Sequence, residues 1–355
     1  MNYAQPSKHI LELLYAGTVI PAHPLALTAE RKLNEERQRL LTRYYLAAGA
    51  GGVAVGVHTT QFEIRKPEFN MLEPVLQLAA EEIEASGKNK NFIRVAGITG
   101  PAETAVAEAE LAVKYGYHFG LLSNGGLNTL SEDELIERAK KVAAIIPLFG
   151  FYLQPAAGGR LLSYNFWRKF VEIPNVYAIK IAAFNRYQTI DVVRAVCESK
   201  RSSEIALYTG NDDNIIADLI TPYRFAANGK QVEKRFIGGL LGHWAVWTSK
   251  AVQLLEQAKS RNTSEEELLS IGIAVTDMNA AIFDTANNFH GCIPGIHEIL
   301  RRQGLIEGTW CLNPNEVLSP GQKEEIDRVC RDYAHLTDDA FVSNFLKKET
   351  STTHA

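Results

Sequence analysis

Cysteine is scarce in this chain: Cys197, Cys292, Cys311 and Cys330 are the only four in 355 residues, and no two form a Cys-x-x-Cys pair. That spacing excludes a disulfide framework or zinc knuckle and leads us to expect a reduced, cytoplasmic protein. No apolar run approaches the length of a membrane span, and the start, with Gln5, Lys8 and His9, does not read as a signal peptide. Basic residues are not in surplus: 37 Lys and Arg against 41 Asp and Glu give a net charge of −4, no footprint for nucleic acid or an anionic membrane. His58, His118, His243 and His290, with Glu63, Asp212 and Asp213, show no His-x-His or His-Glu-x-x-His spacing, so no bound metal or other cofactor is expected. Repeats and low-complexity tracts are also missing.

What is there is a soluble globular composition, 46% hydrophobic and 22% charged, in a chain long enough for one large α/β domain or two ordinary ones. Short apolar runs alternate with amphipathic stretches. The runs are Gly17–Pro21, Gly52–Val57, Phe92–Gly97, Phe119–Ser123, Leu148–Leu153, Val176–Ile181, Ile205–Thr209 and Phe236–Leu240. The stretches between them include Glu30–Ala48, Glu68–Ser86, Tyr187–Glu198 and Asn214–Ala227. Such alternation means parallel strands with right-handed crossovers, and about eight units argue for a (β/α)₈ TIM barrel. An open doubly wound sheet would carry a glycine-rich phosphate loop after its first strand. This chain has Ile20-Pro21-Ala22-His23-Pro24 there. Strand signals stop near Ala251. We therefore expect a barrel over residues 1–250 and a helical C-terminal extension over 251–346, with Gly291, Pro294 and Gly295 breaking its helices. Residues 347–355 read as a disordered tail.

Lys180 stands out. It interrupts the apolar run Val176-Tyr177-Ala178-Ile179-Lys180-Ile181-Ala182. Side chains alternate along a strand, so Lys180 should share a face with Ala178 and Ala182, while Tyr177, Ile179 and Ile181 point the other way. Small neighbours leave room for the amine, and burial would lower its pKa, as a Schiff-base lysine requires. The plainer alternative is a strand-end lysine reaching solvent. Barrel enzymes hold their chemistry at the C-terminal ends of strands. Those ends carry His58-Thr59-Thr60-Gln61, Tyr152-Leu153-Gln154-Pro155, Lys180 and Thr209-Gly210-Asn211-Asp212-Asp213. Tyr152 is a candidate proton shuttle for imine formation, or else a core tyrosine. Thr59 and Thr60 offer hydroxyls to a substrate or to a turn. Arg65, Arg160 and Arg186 are possible carboxylate anchors or ordinary ion pairs.

Tyr152-x-x-Pro155 lies 28 residues before the Lys180 of Ile179-Lys180. With Thr59-Thr60 and Thr209-Gly210-Asn211-Asp212-Asp213, it resembles the dihydrodipicolinate synthase / N-acetylneuraminate lyase superfamily of class I, Schiff-base barrel lyases. The resemblance implies an enzyme acting on pyruvate or a sugar-derived 2-keto acid by aldol or dehydration chemistry. It assigns the imine to Lys180, proton transfer to Tyr152, and the substrate to Thr59, Thr60, Gly210 and Arg160. It also implies a homo-oligomer, dimer or tetramer. Three departures stand against full inheritance. The family's Gly-Thr-Thr-Gly-Glu is Gly56-Val57-His58-Thr59-Thr60-Gln61 here, with an insertion and without the second glycine and the glutamate. Its strand-four tyrosine segment is replaced by Ser123-Asn124-Gly125-Gly126-Leu127. Its strand-five arginine is displaced to Arg160. A metal-dependent barrel lyase and a non-catalytic keto-acid or sugar sensor remain the alternatives.

Overall fold

The computed structural model describes residues 5–227 and 229–353, with side chains up to Ser351. Its eight-stranded parallel sheet comprises β1 (Val19–Pro21), β2 (Gly52–Val55), β3 (Ile93–Ile98), β4 (Phe119–Leu122), β5 (Leu148–Leu153), β6 (Val176–Ala182), β7 (Ala206–Thr209) and, beyond a hairpin, β10 (Phe236–Leu241). The strand order is β1-β10-β7-β6-β5-β4-β3-β2. A parallel bridge between Ala22 and Ala54 closes the ring. Each of the eight expected strands is present, and the fold is a (β/α)₈ barrel with a helical extension.

Two apolar clusters follow from the period-2 alternation of the strands. Ile20, Val95, Phe119, Phe149, Ala178 and Tyr208 belong to the cluster inside the ring. Ile179, Ile181 and Tyr152 belong to the cluster between the strands and the surrounding helices. The N-terminal mouth is plugged by α1 (Lys8–Ala16), which the sequence reading did not single out. Its Ile10 and Leu14 join the inner cluster, and the Tyr208 hydroxyl donates to the Leu14 carbonyl at 2.8 Å. Tyr177 departs from its expected outer face. Leu148 pairs with Val176 but Phe149 with Ala178, so Tyr177 is an extra residue in the ladder and packs against Phe119 inside.

The stretch 214–227 is not one helix. A short α8 (Ile215–Ile220) stops ahead of Pro222, and β8 (Tyr223–Ala227) then pairs antiparallel with β9 (Lys230–Lys234). Proline disfavours helix in the residue before it, and the burial of β8 alternates as a half-covered strand should. In the extension, α9 (Thr248–Ser260) and α10 (Glu265–Ile282) precede α11 (Cys292–Arg302), α12 (Gln322–Asp332) and α13 (Asp339–Thr353). Pro294 and Gly295 lie within α11 and do not break it. Proline is tolerated in a first turn, and a Cβ on Gly295 would come 1.9 Å from the Ile282 carbonyl oxygen of α10. Helix α13 runs to Thr353 through the stretch read as a tail. Among the described residues no helix is long and apolar enough to cross a membrane.

Candidate active site

A cavity of about 160 Å³ opens at the C-terminal ends of the strands. Its strand-end lining includes His58, Thr59, Gln154, Lys180, Gly210 and Asp212, and the extension adds Phe283, Phe289, Cys292 and Ile296. Lys180 is only 8% exposed and shares the inner face with Ala178 and Ala182. The register pairs Lys180 with Phe151 on one side and Tyr208 on the other. The Phe151 ring centroid lies 4.6 Å from Nζ. Burial lowers the pKa of the amine below the ordinary lysine value, while the Asp212 carboxylate opposes that shift. The same desolvation raises Asp212, held back by the Lys180 charge. His58 is pushed down to about 4, chiefly by burial and then by Lys180, so its imidazole is neutral near pH 7.

Gly210 leaves room for the lysine. A Cβ there would sit 2.6 Å from Lys180 Cε and 2.9 Å from Ala182 Cβ. The loop that follows is fixed by Asp218 of α8. Its carboxylate accepts from Thr209 Oγ1 at 2.8 Å, Asn211 Nδ2 at 2.9 Å, Arg186 Nη1 at 2.6 Å and the Tyr223 hydroxyl at 3.0 Å. Asn211 Oδ1 in turn accepts from the Phe184 N–H at 3.0 Å, tying the loop after β7 to the loop after β6. From the extension, Asn279 Nδ2 donates to the Asp212 carbonyl at 2.6 Å. Asp212 is therefore held from both sides of the site.

Tyr152 is not brought to Lys180. In the β5–β6 ladder Tyr152 stands opposite Ile181, on the helix-facing side. Its ring lies 5.4 Å from that of Trp167 in α6 (Tyr164–Phe170), and its hydroxyl makes long 3.4 Å contacts with the Leu162 backbone. The 28-residue spacing is kept, but a one-residue difference of register reverses the face, so Phe151 occupies the place expected of the phenol. Thr60 is also turned away. Its hydroxyl donates to the His23 carbonyl at 2.7 Å and accepts from the N–H groups of Gly56 at 3.0 Å and Val57 at 3.2 Å, stapling the turn. Thr59 does line the cavity, with its proton donated to the Ala22 carbonyl at 2.8 Å. Gln61, standing where the resembled motif has its second glycine, adopts φ of 65° and accepts from the Leu312 N–H at 2.6 Å, joining the loop to the extension.

None of the three arginines reaches the cavity. Arg160 donates to the Leu127 and Leu130 carbonyls at 2.8 and 2.9 Å. Arg65 is paired with Glu108, and Arg186 with Asp218. Lys180, Thr59 and Gly210 thus come together, whereas Tyr152, Thr60 and Arg160 do not. Asp212 and His58, members of the strand-end motifs to which the sequence assigns no role in imine chemistry, both line the cavity. Among the described residues no three His, Cys, Asp or Glu side chains gather in a metal-binding group. Phe151 was within reach of sequence reasoning through the strand period. Phe283 and Phe289 carried no local signal, lying about a hundred residues from the lysine.

No protein-family model and no curated protein matches the chain. Solved structures do. N-acetylneuraminate lyase from Fusobacterium nucleatum, complexed with pyruvate, is similar with a TM-score of 0.70 at 18% identity over 90% of this chain and 98% of that one. Dihydrodipicolinate synthase from Oceanobacillus iheyensis gives 0.71 at 17% identity, over 92% and 99%. The chloride-inhibited dihydrodipicolinate synthase from Acinetobacter baumannii, complexed with pyruvate, gives 0.70 at 17%, over 89% and 98%. The shared property is the fold.

Proposed function

We propose that this chain is a divergent Schiff-base lyase of the dihydrodipicolinate synthase / N-acetylneuraminate lyase type, acting on pyruvate or another 2-keto acid. One observation carries the reading. The Lys180 amine faces the cavity at the end of β6, desolvated, with its pKa lowered toward the neutral nucleophile. Two structural neighbours with the same fold hold pyruvate.

In this reading Lys180 Nζ attacks the keto carbon. The carbinolamine loses its oxygen as water, leaving an iminium. A proton carrier is needed at both stages, and Asp212 takes the role that the sequence suggested for Tyr152. A buried carboxyl with a raised pKa can hold a proton near neutrality and, once ionised, remove one from C3. The resulting enamine adds to an aldehyde, and the reverse step cleaves C3–C4. Expulsion of a C4 hydroxyl would begin from the same intermediate. Thr59 would orient the keto-acid carboxylate by turning its hydroxyl proton from the Ala22 carbonyl to the substrate, and Gly210 admits the lysine.

The test is incubation with pyruvate, reduction by borohydride and peptide mass spectrometry. A reduced adduct on Lys180 is expected. Its absence with pyruvate and with longer 2-keto acids would overturn the reading and favour a metal-dependent or non-catalytic protein.

A further inference from the structure

The cavity is mixed at its floor, where Val57, Phe151 and Leu153 stand among polar groups, and apolar at its roof. His58, Thr59, Gln154 and Asp212 follow strand ends, whereas what the extension contributes is Phe283, Phe289, Cys292 and Ile296. The Cys292 thiol is held neutral by burial. Two of the aromatic rings are held there against backbone preference. Phe184, from the loop after β6, has φ of 49°, and Phe289, from the loop before α11, has φ of 66°. A bulky residue at positive φ is a true outlier, and such strain persists only where surrounding structure enforces it.

Here the enforcement is visible. The Phe184 N–H is anchored on Asn211, and the Phe289 N–H donates to the Asp284 carbonyl at 3.0 Å. Asp284 itself holds the loop through its carboxylate, which accepts from the Gly291 N–H at 2.9 Å and from Ser319. The two rings meet across the mouth, with centroids 5.9 Å apart and planes inclined by 60°. A polyhydroxylated chain would need a hydrogen-bonding partner for each hydroxyl it buries, and this roof supplies only the weakly donating Cys292 thiol. No arginine lines the cavity to take a second carboxylate.

We infer that the part of the substrate beyond C3 is apolar: a small aromatic or branched aliphatic aldehyde in the condensing direction, or a 4-hydroxy-2-keto acid with such a substituent in the cleaving one. The inference rests on the imine reading for its chemistry, though not for its binding surface. In the condensing step enamine C3 bonds to the aldehyde carbon as the carbonyl π pair moves to oxygen. That oxygen takes a proton to become the C4 hydroxyl, and water hydrolyses the iminium to release Lys180. Nothing is oxidised or reduced. The cavity, well below the ~300 Å³ at which drug-sized pockets begin, suits reactants of this size.

The binding surface is tested with inert carboxylates. Calorimetric titration of the full chain with 4-phenylbutanoate and with gluconate should show the former at least tenfold tighter. Phe184→Ala and Phe289→Ala should weaken it about three- to tenfold, the range of a lost aromatic contact. Because either variant can disturb a strained loop, Phe289→Leu is included and should retain affinity within about threefold, since apolar bulk remains. Equal or tighter binding of gluconate, or indifference of both alanine variants, would overturn the inference. Binding of 4-phenylbutanoate without a borohydride-trapped pyruvate adduct would preserve it and defeat the imine reading. A pyruvate adduct accompanied by preference for gluconate would do the reverse.

Discussion

Lys180 and Tyr152 occupy adjacent strands a few ångströms of sheet apart, yet they belong to different compartments. Lys180 points into the ring, beside Phe151 and beneath the cavity. Tyr152 points into the helical layer and packs on Trp167. In a barrel the two faces of one strand meet different solvents, different partners and different demands. A group on the inner face at a strand end can do chemistry, whereas the same group one residue along is core. Spacing along the chain therefore does not assign a role until register is known.

The sharpest contrast is expected from removing the inner-face amine. Lys180→Ala should abolish the borohydride-trapped pyruvate adduct, read by intact-mass spectrometry; a full adduct elsewhere on the chain would break the assignment. Asp212→Asn comes next. Loss of the proton carrier should slow imine formation by roughly 10²–10⁴-fold. It should also move the pH profile. Trapping requires the neutral amine, so it rises with pH through the lysine pKa. The Asp212 charge raises that pKa, and removing it must shift the midpoint to lower pH. A midpoint that stays put or moves to higher pH would remove Asp212 from the site.

A smaller effect is expected at Gly210→Ala, where the new Cβ would crowd Lys180 Cε and Ala182 Cβ. Overpacking of this kind costs about 1–3 kcal/mol. The change should lower the melting temperature and slow trapping together, because the displaced group is the nucleophile itself. A melting curve and trapping rate identical to the parent would show that Gly210 has no bearing on the lysine.

The eight barrel strands were legible because buried parallel strands are short apolar runs set between amphipathic helices. Lys180 was legible as a charge in the later half of such a run, whereas Arg94, the other charge in these runs, stands near the start of its strand. The hairpin at Tyr223–Lys234 was hidden because its apolar residues also fit a helical reading until Pro222 is weighed. Tyr152 was misread because its spacing to Lys180 was right and its face was not. The ladder irregularity at Leu148 and Phe149, which decides inner from outer there, is a property of paired strands and is not written in either one. Asp218, which organises the loop behind the site, looked like an ordinary helix aspartate. The cavity roof was the least accessible part, since it depends on how α10 and α11 dock against the barrel. The extension thus supplies four residues of the cavity wall and is not merely a support for it.

The most direct test sets the two faces side by side in one assay: pyruvate trapping on the parent, Lys180→Ala and Tyr152→Phe. The phenol's contacts are both 3.4 Å long, so their loss should cost under about 1 kcal/mol of stability. Tyr152→Phe should therefore trap pyruvate at nearly the parental rate, while Lys180→Ala traps none. A Tyr152→Phe protein that folds normally but loses trapping as completely as Lys180→Ala would contradict the division between the inner and outer faces.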